Sequence, residues 1–272
     1  MSNDNELKSD VRTFWDAGSC GEIYATGETE KESYKKQGYT RYALEPYIHS
    51  FAKFPEGEDR DVLEIGLGMG ADHIEWAKSK PRSLTGIDLT PKSIEHTKRR
   101  LEIFDLKSSI GIGDAENLSL EENSFDIVYS YGVFHHSPNT RLAFKEAHRV
   151  LRSNGVGRFM IYHTKSLTGY MLWLRYGLLL GRPFRSLQDI YAEHLESPGT
   201  KAYSVIEAQE LCSMFSEVNV QIQLSLGDLL EGEVGQRHRG LLLTVAKKMW
   251  PRWLIRKLFK NHGLFLLIEV KK

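Results

Sequence analysis

Short apolar runs alternate with stretches of helical spacing through most of the first 163 residues. Runs at 62–65, 83–88, 110–113, 127–131 and 157–163 are rich in Val, Ile, Leu and aromatics and are bounded by Gly, Pro, Asn or Asp, the pattern of buried strands. Helical segments follow several of them: 71–78 behind the first, one opened by Thr90-Pro91 and running to about Phe104 behind the second, and one opened by Ser137-Pro138 and stopping at Asn154-Gly155 behind the fourth. On the second of these, Lys98, Arg99 and Arg100 read as solvated. Strand and helix in alternation predict an α/β fold with a largely parallel sheet and helices on both faces. The rhythm breaks at 164–203, where 167–180 is strongly apolar but carries Arg175 and two glycines. A capped helix at 204–215, an alternating outer strand at 218–224 and an apolar closing strand at 263–270 follow.

Residues 1–55 precede the first strand and interleave Phe14, Trp15, Tyr24, Tyr34, Tyr39, Tyr42 and Tyr47 with charges, Arg41 among them. They read as a helical extension lying on the domain, which then spans 56–272 with 164–203 as an insertion. Composition narrows the class only slightly: of 272 residues 41% are hydrophobic and 26% charged, and the formal net charge is +0. Balanced charge argues against a nucleic-acid partner. No run reaches the length of a membrane span, the polar start carries no secretory signal, and two cysteines make no disulfide framework, so a reducing cytoplasm is the expected compartment. Of the two, Cys20 reads as an incidental thiol.

The candidate chemistry starts at Val62-Leu-Glu-Ile-Gly-Leu-Gly-Met-Gly70. A strand ending in Gly66, Gly68 and Gly70 before a helix lets a ligand approach bare backbone and a positively polarised helix start. Gly66-x-Gly68-x-x-Ala71 also fits the dinucleotide fingerprint, so a nicotinamide-dependent oxidoreductase is the rival reading. Glu64 discriminates: a carboxylate at the strand end repels a pyrophosphate and suits a ligand with a cationic amino group and a sulfonium. Asp88 lies at the end of the next strand, at the spacing where a carboxylate meets a ribose diol.

With these residues the chain resembles the class I S-adenosylmethionine-dependent methyltransferases. Asp114-Ala-Glu-Asn-Leu, Ser124-Phe-Asp-Ile-Val and Gly132-Val-Phe-His-His extend the resemblance, over about 60–163, to the small-molecule type that includes the ubiquinone and menaquinone C-methyltransferases. It implies a Rossmann-like, seven-stranded, mostly parallel sheet with an antiparallel closing strand and a cap insertion after the fifth strand. It implies S-adenosylmethionine as cofactor, S-adenosylhomocysteine as product, and a small-molecule acceptor. The cofactor residues it implies are Glu64, Gly66, Gly68, Gly70, Asp88 and Leu89, with Asp114, Ala115 and Glu116 about the adenine, Ser130 nearby, and Tyr24 and Arg41 on a lid. His135, His136 and His163 are the candidates for touching the acceptor or acting as base. A non-catalytic cofactor-binding subunit is a further alternative. No metal-ligand spacing, nucleophile elbow or phosphate loop is evident.

The segment 247–260 has six basic residues and no acidic one. As a helix begun at Pro251 it places Trp250, Trp253, Leu254 and Leu258 on one stripe and Arg252, Arg256 and Lys260 on another. Two expectations stand: a helix packing its tryptophans on the domain or a second subunit, or a peripheral membrane contact. Oligomeric state and acceptor identity are left open by the sequence.

Overall fold

The computed structural model describes residues 2–231 and 250–272. Its strands are β1 (Asp61–Ile65), β2 (Ser83–Asp88), β3 (Ser109–Ile112), β4 (Phe125–Tyr131), β5 (Leu151–Tyr162), β6 (Glu217–Gln223) and β7 (Phe265–Lys271). They form one sheet in the order β3-β2-β1-β4-β5-β7-β6. The first five strands pair in parallel, and β7 runs antiparallel to both β5 and β6. Strand order reverses between β1 and β4, so the loops at their carboxyl ends part and leave a crevice there.

The helices are α1 (Ser2–Ala17), α2 (Glu30–Leu44), α3 (Tyr47–Ala52), α4 (Ala71–Lys78), α5 (Pro91–Ile103), α6 (Thr140–Val150), α7 (Leu167–Tyr176), α8 (Leu187–His194), α9 (Val205–Leu211), α10 (Leu226–Leu229) and α11 (Arg252–Leu258). All five residues of β1 are buried, because both faces of the sheet are covered. Leu63 and Ile65 pack with Phe144 and Ala147 of α6 and Ala208 of α9. Val62 points the other way, toward Ile48 of α3 and Trp76 of α4. That alternation is the two-residue period of a strand.

Three boundaries and one burial differ from the sequence expectation. Phe134–His136 form a short 3-10 turn and Ser137-Pro138 only connect it to α6, which is capped by Asn139 through its side-chain oxygen on the Leu142 N–H. α6 ends at Val150, and Asn154, at φ 64, sits inside β5 where its register against β4 shifts. A left-handed Asn followed by Gly ends helices and makes bulges alike, and here it makes the bulge. The helix expected over 204–215 stops at Leu211, although its Ser204/Glu207 capping box is present. Arg100, expected in solvent, is buried and donates to the Gln37 side chain and to the Tyr34 and Met69 carbonyls, tying α2 to the glycine loop.

After β5 the chain forms α7, a 3-10 turn at Leu178–Leu180 and α8. Asp228 of α10, fully buried, joins this layer to the sheet: its carboxylate accepts from Thr168 of α7, from Ser225 and from the Leu264 N–H ahead of β7. In α11 the stripe anticipated from sequence divides. Trp250 donates its indole N–H to the Asp228 carbonyl and Ile255 is buried, whereas Trp253 and Leu258 face outward. Residues 247–249 of that segment lie outside the described residues.

Candidate active site

A cavity of about 800 Å³ occupies the crevice beyond β1 and β4, within the size range of small-ligand sites. Its floor is the glycine turn. Gly66 has φ +85 and a Cβ there would lie 2.1 Å from Val133, so only glycine packs against the loop after β4. Gly68 also has positive φ, but a Cβ on it would meet nothing within 4 Å, because its backbone faces the open cavity. Gly70 caps α4 and packs against Thr97 away from the cavity wall.

Asp88 and Leu89 line the cavity at the end of β2. The Asp88 carboxylate shapes the glycine loop as well: one oxygen accepts the Leu67 N–H at 2.7 Å and the other accepts the Thr90 N–H at 2.9 Å and hydroxyl at 2.8 Å. Beyond β3, Asp114 and Ala115 face the cavity. Lys8 of α1 spans Asp114 at 2.7 Å and Glu116 at 2.8 Å, so the amino-terminal helix is clamped onto this acidic turn. Glu116 itself is turned away from the cavity, accepting the Asn139 N–H. Ser130, assigned to the cofactor from sequence, is buried and donates to the Ile65 carbonyl inside the sheet. It is a tie between β4 and β1, off the cavity wall.

Glu64 and Asp72 form the buried acidic corner under the turn. Glu64 is 2% exposed, 2.8 Å from His73 Nδ1, and His73 Nε2 lies 2.8 Å from Ser108 Oγ. Ser108 donates to the Leu84 carbonyl, so it accepts the His73 Nε2–H and leaves Nδ1 as an acceptor. Glu64 must then carry the proton. Burial and the nearby Asp72 and Asp88 charges push Glu64 well above the usual carboxylate range, and burial lowers His73 to about 3, so the pair is neutral. At Asp72 burial again opposes the charge, yet Arg41 and hydrogen bonds from Tyr129 and Tyr42 hold its carboxyl below the ordinary value. Arg41, anticipated on a lid, is half-buried and anchors α2: it grips Asp72 bidentately at 2.9 and 2.6 Å and lies over the Tyr131 ring. It still lines the cavity, as does Tyr24. Asp72 was readable as a carboxylate in the first turn of a helix, but its partners come from α2 and β4.

The far end of the cavity brings together residues that sequence reading paired only in part. His136 faces it, with Nδ1 held by Ser197 Oγ at 2.8 Å and Thr200 Oγ1 at 3.1 Å. Its Nε2 is 3.5 Å from the Glu196 carboxylate, which accepts the Tyr162 hydroxyl at 2.5 Å. Trp15 of α1 stands edge-on to the His136 ring, so α1 reaches from the acidic turn to this corner. The other two histidines are elsewhere. His135 is fully buried behind the wall, its ring 3.8 Å from that of Tyr162, and burial lowers it well below the ordinary histidine value. His163 donates its Nδ1–H to the Gly263 carbonyl, off the cavity, where a strand end places it in the backbone layer. Neither contacts the space an acceptor would fill. His135, His136 and Glu196 do bring ligand-type atoms within 4.8 Å of one another, a set of metal-binding residue types that local spacing did not reveal.

A sheet of this order, with a glycine turn after β1 and carboxylates at the ends of β2 and β3, is the Rossmann-like architecture of class I methyltransferases. Residues 63–159 match the family profile described as a methyltransferase domain. One relative is the fatty-acid O-methyltransferase of Mycolicibacterium smegmatis, 34% identical over 116 residues, covering 42% of this chain and 41% of that protein. Another is the erythromycin 3''-O-methyltransferase of Saccharopolyspora erythraea, 33% identical over 103 residues, covering 36% and 33%. The chain thus spans less than half the length of these relatives. A chain in the complex between the Haloferax volcanii Trm112 methyltransferase activator and the putative methyltransferase shares the fold, with TM-score 0.57 and 16% identity over 96% of each chain.

Proposed function

We propose that the protein is an S-adenosylmethionine-dependent methyltransferase that methylates an oxygen of a small-molecule acceptor. The observation that carries the reading is a single cavity lined by the bare glycine turn, by Asp88 and Asp114, and at its far end by His136. The residues fit the cofactor: Gly68 offers open backbone, Asp88 a carboxylate for the ribose, Asp114 and the Ala115 N–H an edge for the adenine, and Glu64 a carboxyl near the amino group. When bound, S-adenosylmethionine supplies an electrophilic methyl on a sulfonium.

The chain's own work is alignment and water exclusion. Trp15, Tyr131 and Tyr162 wall the cavity, and α1 closes it from the amino-terminal side. His136 is held in one orientation by Ser197 and Thr200, and its Nε2, buried and without a hydrogen-bond partner in the free protein, is the nitrogen that takes the proton of an attacking hydroxyl once the acceptor opens a way to it, with Glu196 beside it to stabilise the imidazolium. Both relatives described above are named as O-methyltransferases, in keeping with a proton acceptor here.

Asp88→Ala removes a charge-assisted contact worth roughly 1.5 to 3 kcal/mol and loosens the glycine loop. Calorimetry should show S-adenosylmethionine and S-adenosylhomocysteine binding weakened by about ten- to a hundredfold. Unchanged affinity, or NADH binding in their place, would remove the assignment.

A further inference from the structure

The layer roofing the far end of the cavity has an outward face with its own chemistry. α7 turns Thr168 toward the cavity, while Tyr170 and Leu174, one turn apart, are exposed on its outer side. The chain continues into Leu178, Leu179 and Leu180, all exposed, and Phe184, which is 100% exposed. The Tyr170 hydroxyl meets His262 at 3.0 Å and Phe259 packs on the same imidazole. The carboxyl end of α11, where Leu258 is 62% exposed, therefore adjoins α7, and Trp253, 72% exposed, stands at the start of the same short helix. Neither 174–185 nor 250–260 contains an Asp or Glu, whereas Arg175, Arg182, Lys257 and Lys260 are exposed within them.

Large apolar side chains standing together in water mark a contact surface, and the basic residues among them select its occupant. Two copies of this chain face to face would set these cations against their own images, which is repulsive. An anionic lipid surface offers both an apolar interior for the Leu and Phe tips and phosphates for the Arg and Lys heads. No helix among the described residues is long and apolar enough to cross a membrane. We propose that the face formed by 174–184 and α11 rests on an anionic membrane, and that the acceptor is an amphiphile drawn from that bilayer into the cavity beneath α7. The acceptor clause rests on the methyltransferase reading; the docking clause does not.

The full chain should co-sediment with vesicles of phosphatidylcholine containing phosphatidylglycerol, far less with phosphatidylcholine alone, and less as salt is raised. Phe184→Glu and Trp253→Glu should each lower vesicle binding by about tenfold while calorimetry with S-adenosylhomocysteine stays unchanged, showing that the fold is intact. A chain that binds S-adenosylhomocysteine but ignores anionic vesicles at low salt overturns the proposal. So does a Phe184→Glu variant that sediments like the parent, or a dimer in light scattering that Phe184→Glu dissolves without any vesicle binding. Vesicle binding by a chain with no affinity for S-adenosylmethionine or its product would instead sink the methyltransferase reading and leave the surface standing.

Discussion

Glu64 illustrates how one buried carboxyl serves fold and ligand in turn. In the free protein it carries the proton of its hydrogen bond to a neutral His73, so no net charge is buried in this pair under the glycine turn. A cationic amino group placed against it reverses the balance, since an opposite charge favours the ionised carboxylate. Binding of S-adenosylmethionine should therefore expel a proton, and affinity should rise with pH up to Glu64's raised value. Calorimetry in buffers of differing ionisation enthalpy is expected to detect proton release on binding by the parent, and none in Glu64→Gln. Zero release by the parent would mean that Glu64 stays neutral and the amino group sits elsewhere.

At the scale of elements, legibility followed sequence distance. β1, β2 and β4 could be read because each is a short apolar run buried on both sides, and the glycine turn, Asp88 and Asp114 because each sits at the end of its own strand. α6 and β5 were misplaced because Ser-Pro and Asn-Gly each serve more than one turn. The far corner of the cavity was legible only as a pair of histidines, since what selects His136 over His135 arrives from the loop after α8, with Ser197 lying 61 positions on. The extension could be recognised by its aromatics, but not that Lys8 and Trp15 were its contacts with the two ends of the cavity. The loop now makes His136 testable. His136→Ala should lower the rate of S-adenosylhomocysteine formation on a hydroxylated amphiphile by about 10² to 10⁴ and leave cofactor affinity within about twofold. Normal turnover would assign catalysis to alignment alone.

For the molecule as a whole, the buried imidazoles set the response to acid. Burial holds His73 near 3 and lowers His135 well below its ordinary value, so the folded chain leaves them neutral where the unfolded chain protonates them. A histidine lowered in this way contributes stability that is complete above its unfolded value of about 6.5 and is lost as pH falls below it. Glu64, raised, has the opposite sign: its contribution is complete below the ordinary carboxylate value and is lost as pH rises toward its folded one. His135 is the cleaner of the two histidines to test, because its ring packs on Tyr162 and neither ring nitrogen has a hydrogen-bond partner. His135→Phe keeps the packing, removes the unsatisfied nitrogens and abolishes the titration, so it should stabilise the protein at pH 7 by about 1 kcal/mol and by more at pH 5. Urea midpoints measured at both pH values decide the matter. A variant less stable than the parent at pH 7, or a gain that does not grow toward pH 5, would show that the His135 nitrogens have a partner or are charged in the folded protein.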